Sequence, residues 1–455
     1  MNIILLSGGS GKRLWPLSNE IRSKQFIKIF KKSENGIFAG TEHSDGYESM
    51  LQRVYRQIKS IDKDAVVTIA TSKSQVSAIH NQIGRDVGLS VEPCRRDTFP
   101  AIALAAAYLH DVKGVSLNEA VVICPVDPYV DDDYFQALKK LWELAQKDRA
   151  NLILMGIDPT YSSEKYGYIM PTDRENVSRV SEFKEKPDAV TAQGYIDAGG
   201  LWNSGVFACK IGYVLERAGE LLGFSGYGDL FAGYDTLETI SFDYAVAEHE
   251  KDIAVLRFSG KWKDLGTWNT FTEAMEEPVI GDALLDESCE NVHVINELDI
   301  PLLVIGGRDM VVSASPEGIL VSDKAQSSYI KPFVDEIDRQ IMFAEKSWGS
   351  YRVIDVGDES ITVKVILNPL HKMNYHSHER RDEVWTVISG TGKTVVDGVE
   401  QYVKPGDVIK MAAGCRHTVI AGESGLQLTE VQLGKDISVN DKKKYDMPNN
   451  DSSSP

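Results

Sequence analysis

Apolar residues in the first 260 positions gather in short blocks separated by stretches of helical spacing. Residues 3–6, 66–70, 120–125 and 152–157 each read as a buried strand, since an unbroken apolar run bounded by turn residues suits a strand covered on both faces. Between them, residues 50–58 carry helical spacing, and Val76, Ile79 and Ile83 share one helix face. An alanine-rich helix opens near Pro100 and runs to Leu109. This rhythm predicts an α/β domain on a Rossmann-like, mostly parallel sheet.

Beyond residue 268 the rhythm changes. Short apolar pieces at 292–295, 302–305, 310–312 and 318–321 recur between Gly, Asp and Ser, which predicts a small β-element of coiled strands. From Trp348 onward short alternating strands predict an all-β antiparallel barrel or jelly roll. The expected divisions are an α/β domain over 1–275, a β-rich connector over 276–335, a barrel over 336–445 and a polar, Ser-rich disordered tail over 446–455. Residues 31–50 read as a polar surface excursion.

Composition narrows the function. A net charge of -18 argues against nucleic acid as a partner, and any polyphosphate site must gather its cations locally. Five scattered cysteines without CxxC spacing read as reduced thiols of a cytoplasmic protein. No signal peptide and no membrane span is expected. Oligomeric state is left open, with a homo-oligomer among the options.

The first apolar run spills into Gly8, Gly9 and Gly11, followed by Lys12 and Arg13, with Lys24 one loop later. Glycines admit positive φ and let backbone N–H groups approach an anion, and the cations suit phosphate oxygens. The expectation is a polyphosphate cradle at the carboxyl end of a first strand. It is neither a P-loop, since Arg13 stands where Ser or Thr is needed, nor a dinucleotide fingerprint, since Leu14 stands where the third glycine belongs. Asp127 ends another buried strand, where open α/β sheets bind ligands, and a hard oxygen donor there suits Mg²⁺.

The stretch GGxGxRLxPL followed by KQF resembles the signature of sugar-1-phosphate nucleotidyltransferases, in its detail the mannose-1-phosphate guanylyltransferase branch. The segment from Glu92 to Ile102 resembles that branch's E-P-x-x-R-N-T-A-P-A motif, with Asp97 for Asn and Phe99 for Ala. Pro128 replaces the usual His after Asp127. YGYI at Gly167, EKP at Glu185 and Lys186, a WNSG stretch at Asn203, DYA at Asp243 and WKDLGTW at Asp264 follow in the family's order. The resemblance implies GTP and mannose 1-phosphate as substrates and GDP-mannose and diphosphate as products. Leu6, Gly8, Gly9, Gly11, Lys12, Arg13, Glu92, Asp97 and Thr98 would bind nucleotide, with Asp97 or Glu92 reading guanine. Gly167, Glu185, Lys186 and Asn203 would hold the sugar phosphate. Asp127 and Asp264 would hold Mg²⁺, and Arg13, Lys24 and Lys186 would steady the leaving and incoming phosphates. Another base or sugar 1-phosphate, or an inactive sugar-nucleotide sensor, are the alternatives.

His376, His378, Glu383 and Gly390, then Gly406, Gly414 and His417, match the two cupin motifs, with Ala412 where Pro is usual. Three imidazoles and one carboxylate suit Zn²⁺, Fe²⁺, Ni²⁺ or Mn²⁺. A cupin behind a guanylyltransferase resembles the bifunctional type II phosphomannose isomerase/guanylyltransferase, which implies a second, isomerase activity. The chain departs from that pattern in the insert 379–382 before Glu383 and in lacking an arginine after Asp436-Ile437.

Overall fold

The computed structural model describes residues 1–9, 12–32, 46–337, 340–438 and 441–447. Gly11, most of the excursion expected at 31–50 and nearly all of the expected tail lie outside the described residues. The chain divides into two units: Met1–Leu14 with Ser23–Pro278, and Trp15–Arg22 with Val279–Pro455.

A nine-stranded mixed sheet forms the first unit. Its strands are β1 (Asn2–Leu6), β2 (Val66–Ser72), β3 (Gly88–Glu92), β4 (Ala120–Pro125), β5 (Leu152–Ile157), β6 (Tyr168–Pro171), β7 (Val177–Lys184), β8 (Leu201–Lys210) and β9 (Ile253–Phe258). They lie in the order β3-β2-β1-β4-β8-β5-β9-β7-β6. β3, β2, β1 and β4 run parallel, whereas β8 enters antiparallel between β4 and β5. The strand order reverses beside β1, so the carboxyl ends of β1 and β4 border the crevice where such sheets bind ligands. Ile4, Ile102, Val121, Leu154, Phe207 and Val255 belong to one core cluster. Helices α1 (Met50–Ile61), α2 (Val76–Ile83), α3 (Thr98–Ala107) and α4 (Asp132–Gln146) cover the sheet. α3 is buried over almost its whole length, as its uniformly apolar sequence requires.

A chain of buried polar side chains fixes the segment that carries Lys24. Ser23 Oγ donates to the Gly9 carbonyl at 3.0 Å and accepts from Gln75 Nε2 at 2.7 Å. Gln25 Nε2 donates to Ser7 Oγ at 3.0 Å, and Gln82 Nε2 donates to the Phe26 carbonyl at 3.0 Å. Gln82 also holds the start of α1, accepting from Ser49 Oγ at 2.6 Å, while Ser49 and Gln52 form a reciprocal cap.

The second unit begins with short strands wound in parallel. Val279–Ile280 pairs with His293–Asn296, which pairs with Met310–Ser315, while Ala283–Leu285 pairs with Leu302–Val304. Successive turns of chain stack in register, so the connector is a short β-coil. Segment Trp15–Arg22 belongs to this unit: Ser315 Oγ donates to the Pro16 carbonyl at 2.6 Å, and Arg22 forms a two-pronged ion pair with Glu297 at 2.7 and 2.8 Å. An antiparallel barrel follows, its main strands being β10 (Gly349–Val356), β11 (Ser360–Leu367), β12 (Asp382–Val396) and β13 (His417–Leu433). Trp385 is fully buried in its core with Val365, Val419 and Leu428.

Replacing Gln82 by Leu leaves the Phe26 carbonyl and the Ser49 hydroxyl without their buried partner. A loss of about 1–3 kcal/mol is expected in urea unfolding, while Gln82→Glu is expected to keep part of that stability.

Candidate functional site

β1 ends in a loop whose conformation needs glycine, since Gly9 has φ +125°. Arg95 Nη2 donates to the Gly9 carbonyl at 3.2 Å. Leu6, Gly8, Gly9, Glu92, Asp97 and Thr98 line a hollow of about 300 Å³ that reaches Pro125 and Asp127. Within it Glu92 accepts from the hydroxyl of the buried Tyr234 at 2.8 Å. Burial, aided by the neighbouring Asp97 charge, pushes the Glu92 carboxyl up to about 7. Asp97 holds φ at 68° and accepts from Thr98 N at 2.7 Å through Oδ1 as the cap of α3, while it also lines the hollow. Lys12 and Arg13 lie in the single helical turn Lys12–Leu14, and neither lines this hollow among the described residues.

Asp127 also borders a second hollow of about 200 Å³, lined by Gly167, Glu185, Asn203, Asp243, Trp262 and Asp264 among others. The two carboxylates meet because Pro128–Val130 pairs antiparallel with Trp262–Asp264, with Asp264 opposite Pro128. Lys24 Nζ lies between them, 2.8 Å from Asp127 Oδ2 and 3.4 Å from Asp264 Oδ1. Although burial opposes both charges, their attraction holds Asp127 below the usual carboxylate range and Lys24 above its ordinary value.

In the second hollow polar atoms face inward. Glu185 Oε2 and Trp262 Nε1 are buried without a hydrogen-bond partner among the described residues, an acceptor and a donor available to a hydroxylated ligand. A Cβ on Gly167 would stand 2.4 Å from Glu185 Oε2, so only glycine permits this approach. Asn203 Nδ2 donates to Asp243 Oδ1 at 2.6 Å, and Asn203 Oδ1 accepts from Gly205 N at 3.1 Å, which fixes the amide. Burial beside Glu185 pushes the Asp243 carboxyl up to about 7. Lys186 Nζ donates to Glu185 Oε1 at 2.6 Å and stands 5.7 Å from the Tyr244 ring centre.

In the barrel His376, His378 and His417 are all buried, and their ligating atoms lie within 4.8 Å of one another. Each Nδ1 faces a backbone carbonyl: Asn374 for His376 at 2.6 Å, Asp441 for His378 and Cys415 for His417 at 3.0 Å. A carbonyl there keeps the proton on Nδ1, so the Nε2 lone pairs turn to the interior. Glu383 Oε2 stands 3.2 Å from His417 Nε2, and among the described residues neither atom has another hydrogen-bond partner. Three buried imidazoles converging beside a buried carboxylate make a donor set that fits a divalent transition metal. Arg381 enters the same cluster, with Nη2 donating to His378 Nε2 at 3.0 Å and Nε to Glu383 Oε1 at 2.9 Å.

Among the sequence-predicted residues, Leu6, Gly8, Gly9, Glu92, Asp97 and Thr98 share one hollow, and Gly167, Glu185, Asn203 and Asp264 the other, joined at Asp127. His376, His378, Glu383 and His417 form the separate barrel cluster. Sequence reasoning alone did not assign roles to Tyr234, Asp243, Trp262 or Arg381. Asp243 and Trp262 stand inside quoted motifs and Arg381 inside the noted insert, whereas nothing in the sequence marks Tyr234.

Residues 2–278 match the family model for nucleotidyl transferases, and residues 336–447 match that for the mannose-6-phosphate isomerase C-terminal domain. A mannose-1-phosphate guanylyltransferase of Salmonella montevideo is 27% identical over 97% of this chain and 98% of its own. The xanthan biosynthesis protein XanB of Xanthomonas campestris pv. campestris is 28% identical, covering 96% of each chain. A crystal structure described as a mannose-1-phosphate geranyltransferase from Thermus thermophilus superposes with a TM-score of 0.58 at 26% identity, covering 74% of this chain and 99% of that one. The match over residues 2–278, more than half of the chain, makes this chain a member of the nucleotidyl transferase family, and its residues 336–447 are similar to the mannose-6-phosphate isomerase C-terminal domain.

Proposed function

We propose that the first unit joins GTP and mannose 1-phosphate into GDP-mannose and diphosphate, a reaction of the cytoplasm where both substrates and reduced thiols are found. The observation that carries the reading is the meeting of two hollows at Asp127, with Asp264 and Lys24 beside it. One hollow suits a nucleotide triphosphate over the glycine loop, the other a sugar phosphate, and their junction is where the two phosphates would touch. An oxygen of the sugar 1-phosphate attacks the α-phosphorus, a new O–P bond forms, and the bond to the β-phosphate oxygen breaks with its electron pair leaving on diphosphate. Asp127 and Asp264 would hold Mg²⁺, whose charge would offset that of the assembled phosphates.

The chain's own residues position and neutralise. Lys24 and Arg13 serve the triphosphate, and Lys186 the incoming phosphate. Glu185 and the Asn203 amide, fixed by Asp243, receive sugar hydroxyls. Glu92 and Asp97 both line the glycine-loop hollow, each with one oxygen engaged by the protein, and either carboxylate would read guanine. A carboxylate accepts from guanine N1–H and N2–H together, an arrangement adenine cannot offer. In the barrel His376, His378, His417 and Glu383 would hold a divalent transition metal for aldose–ketose isomerisation of mannose 6-phosphate.

Asp264→Asn is expected to lower turnover by at least about 100-fold in a diphosphate-release assay while sugar-phosphate affinity changes little; near-normal turnover would defeat the assignment. Because Glu92 must be ionised to accept from guanine and its carboxyl sits at about 7, GTP affinity should rise as pH increases from 6 to 8. Glu92→Gln should flatten that rise and erode the preference for GTP over ATP, which a substrate competition across pH would reveal. Protein stripped with chelator and returned to Mg²⁺ alone should recover transferase activity only, with fructose 6-phosphate formation from mannose 6-phosphate requiring a transition metal.

A further inference from the structure

Lys24 carries one positive charge, and it lies against both carboxylates that would hold the divalent ion. Its backbone cannot retreat: the flanking Ser23 and Gln25 are tied to Gly9, Gln75 and Ser7 through buried side chains. Only the flexible stem can carry the ammonium elsewhere, and its reach includes the glycine-loop hollow that ends at Asp127. A divalent ion on the same oxygens would stand within a few ångströms of the ammonium, so the two cations exclude each other. Two carboxylates with one ammonium leave a net charge of about -1, and removing the ammonium exposes a full divalent site.

We propose that Lys24 occupies the cation position between Asp127 and Asp264 in the nucleotide-free enzyme, and that a triphosphate draws it away. Divalent-ion binding at these carboxylates is then conditional on nucleotide. This rests on reading Asp127 and Asp264 as the divalent-ion carboxylates. The condition is reciprocal, since a ligand that removes a competitor for a second ligand must itself bind more tightly when that second ligand is present. It would keep the transferase from holding a metal before the substrate that needs it.

The experiment measures Mn²⁺ binding to the full chain by electron spin resonance of the free ion, with and without α,β-methylene GTP. The barrel donors are unaltered in every protein compared, so they contribute equally and differences report on the transferase site. Without nucleotide, wild type and Asp264→Asn should bind the same amount of Mn²⁺. Lys24→Met should gain one further site of at least about tenfold higher affinity, and Lys24→Met/Asp264→Asn should lose it. With the analogue, wild type should acquire that site and Asp264→Asn should not. Identical nucleotide-free isotherms for wild type and Lys24→Met overturn the proposal, even where the analogue still creates an Asp264-dependent site and the carboxylate reading stands. An analogue-induced site indifferent to Asp264→Asn overturns that reading itself. Lys24→Gln repeats the comparison should Lys24→Met fail to fold, judged by circular dichroism.

Discussion

Three residues of backbone pairing decide the chemistry of the first unit. Pro128–Val130 and Trp262–Asp264 run antiparallel, and the register that sets Asp264 opposite Pro128 delivers one carboxylate beside another from far along the chain. A slip of one residue would turn Asp264 to the opposite face of the ribbon. Two acids so close repel unless a cation stands with them, and Lys24 supplies it. The buried Ser and Gln side chains around residues 23–26 are the structural counterpart of that requirement: they hold the lysine's backbone while leaving its stem free.

The barrel cluster solves a different problem with different atoms. The Nδ1 atoms of its three imidazoles face backbone carbonyls at Asn374, Cys415 and Asp441, which favour one tautomer of each. Arg381 sits among them as a second example of a side-chain cation against a candidate ligand set.

Much of this was legible in the sequence, and the remainder was hidden for identifiable reasons. The apolar blocks at 3–6, 66–70, 120–125 and 152–157 lie in strands β1, β2, β4 and β5, because a strand buried on both faces leaves an unambiguous pattern. The antiparallel entry of β8 left no such trace, since strand direction depends on connections rather than composition. Asp127 and Asp264 could be coupled only through resemblance, as register between distant segments is written in neither. Tyr234 on Glu92 and Arg381 on His378 depend on where long side chains turn, which spacing does not encode. Asp97 matched a motif position but is engaged in capping α3, a local demand the sequence also signals.

Segment Trp15–Arg22 makes the chain leave the first unit almost at once and return before Lys24. A polypeptide ended after Pro278 would retain every residue of both hollows yet strip this segment of Ser315, which donates to the Pro16 carbonyl, and of Glu297 and Glu317, which accept from Arg22 and Asn19. A cut between the two units would therefore sever bonds that an early segment of the chain makes within the second unit.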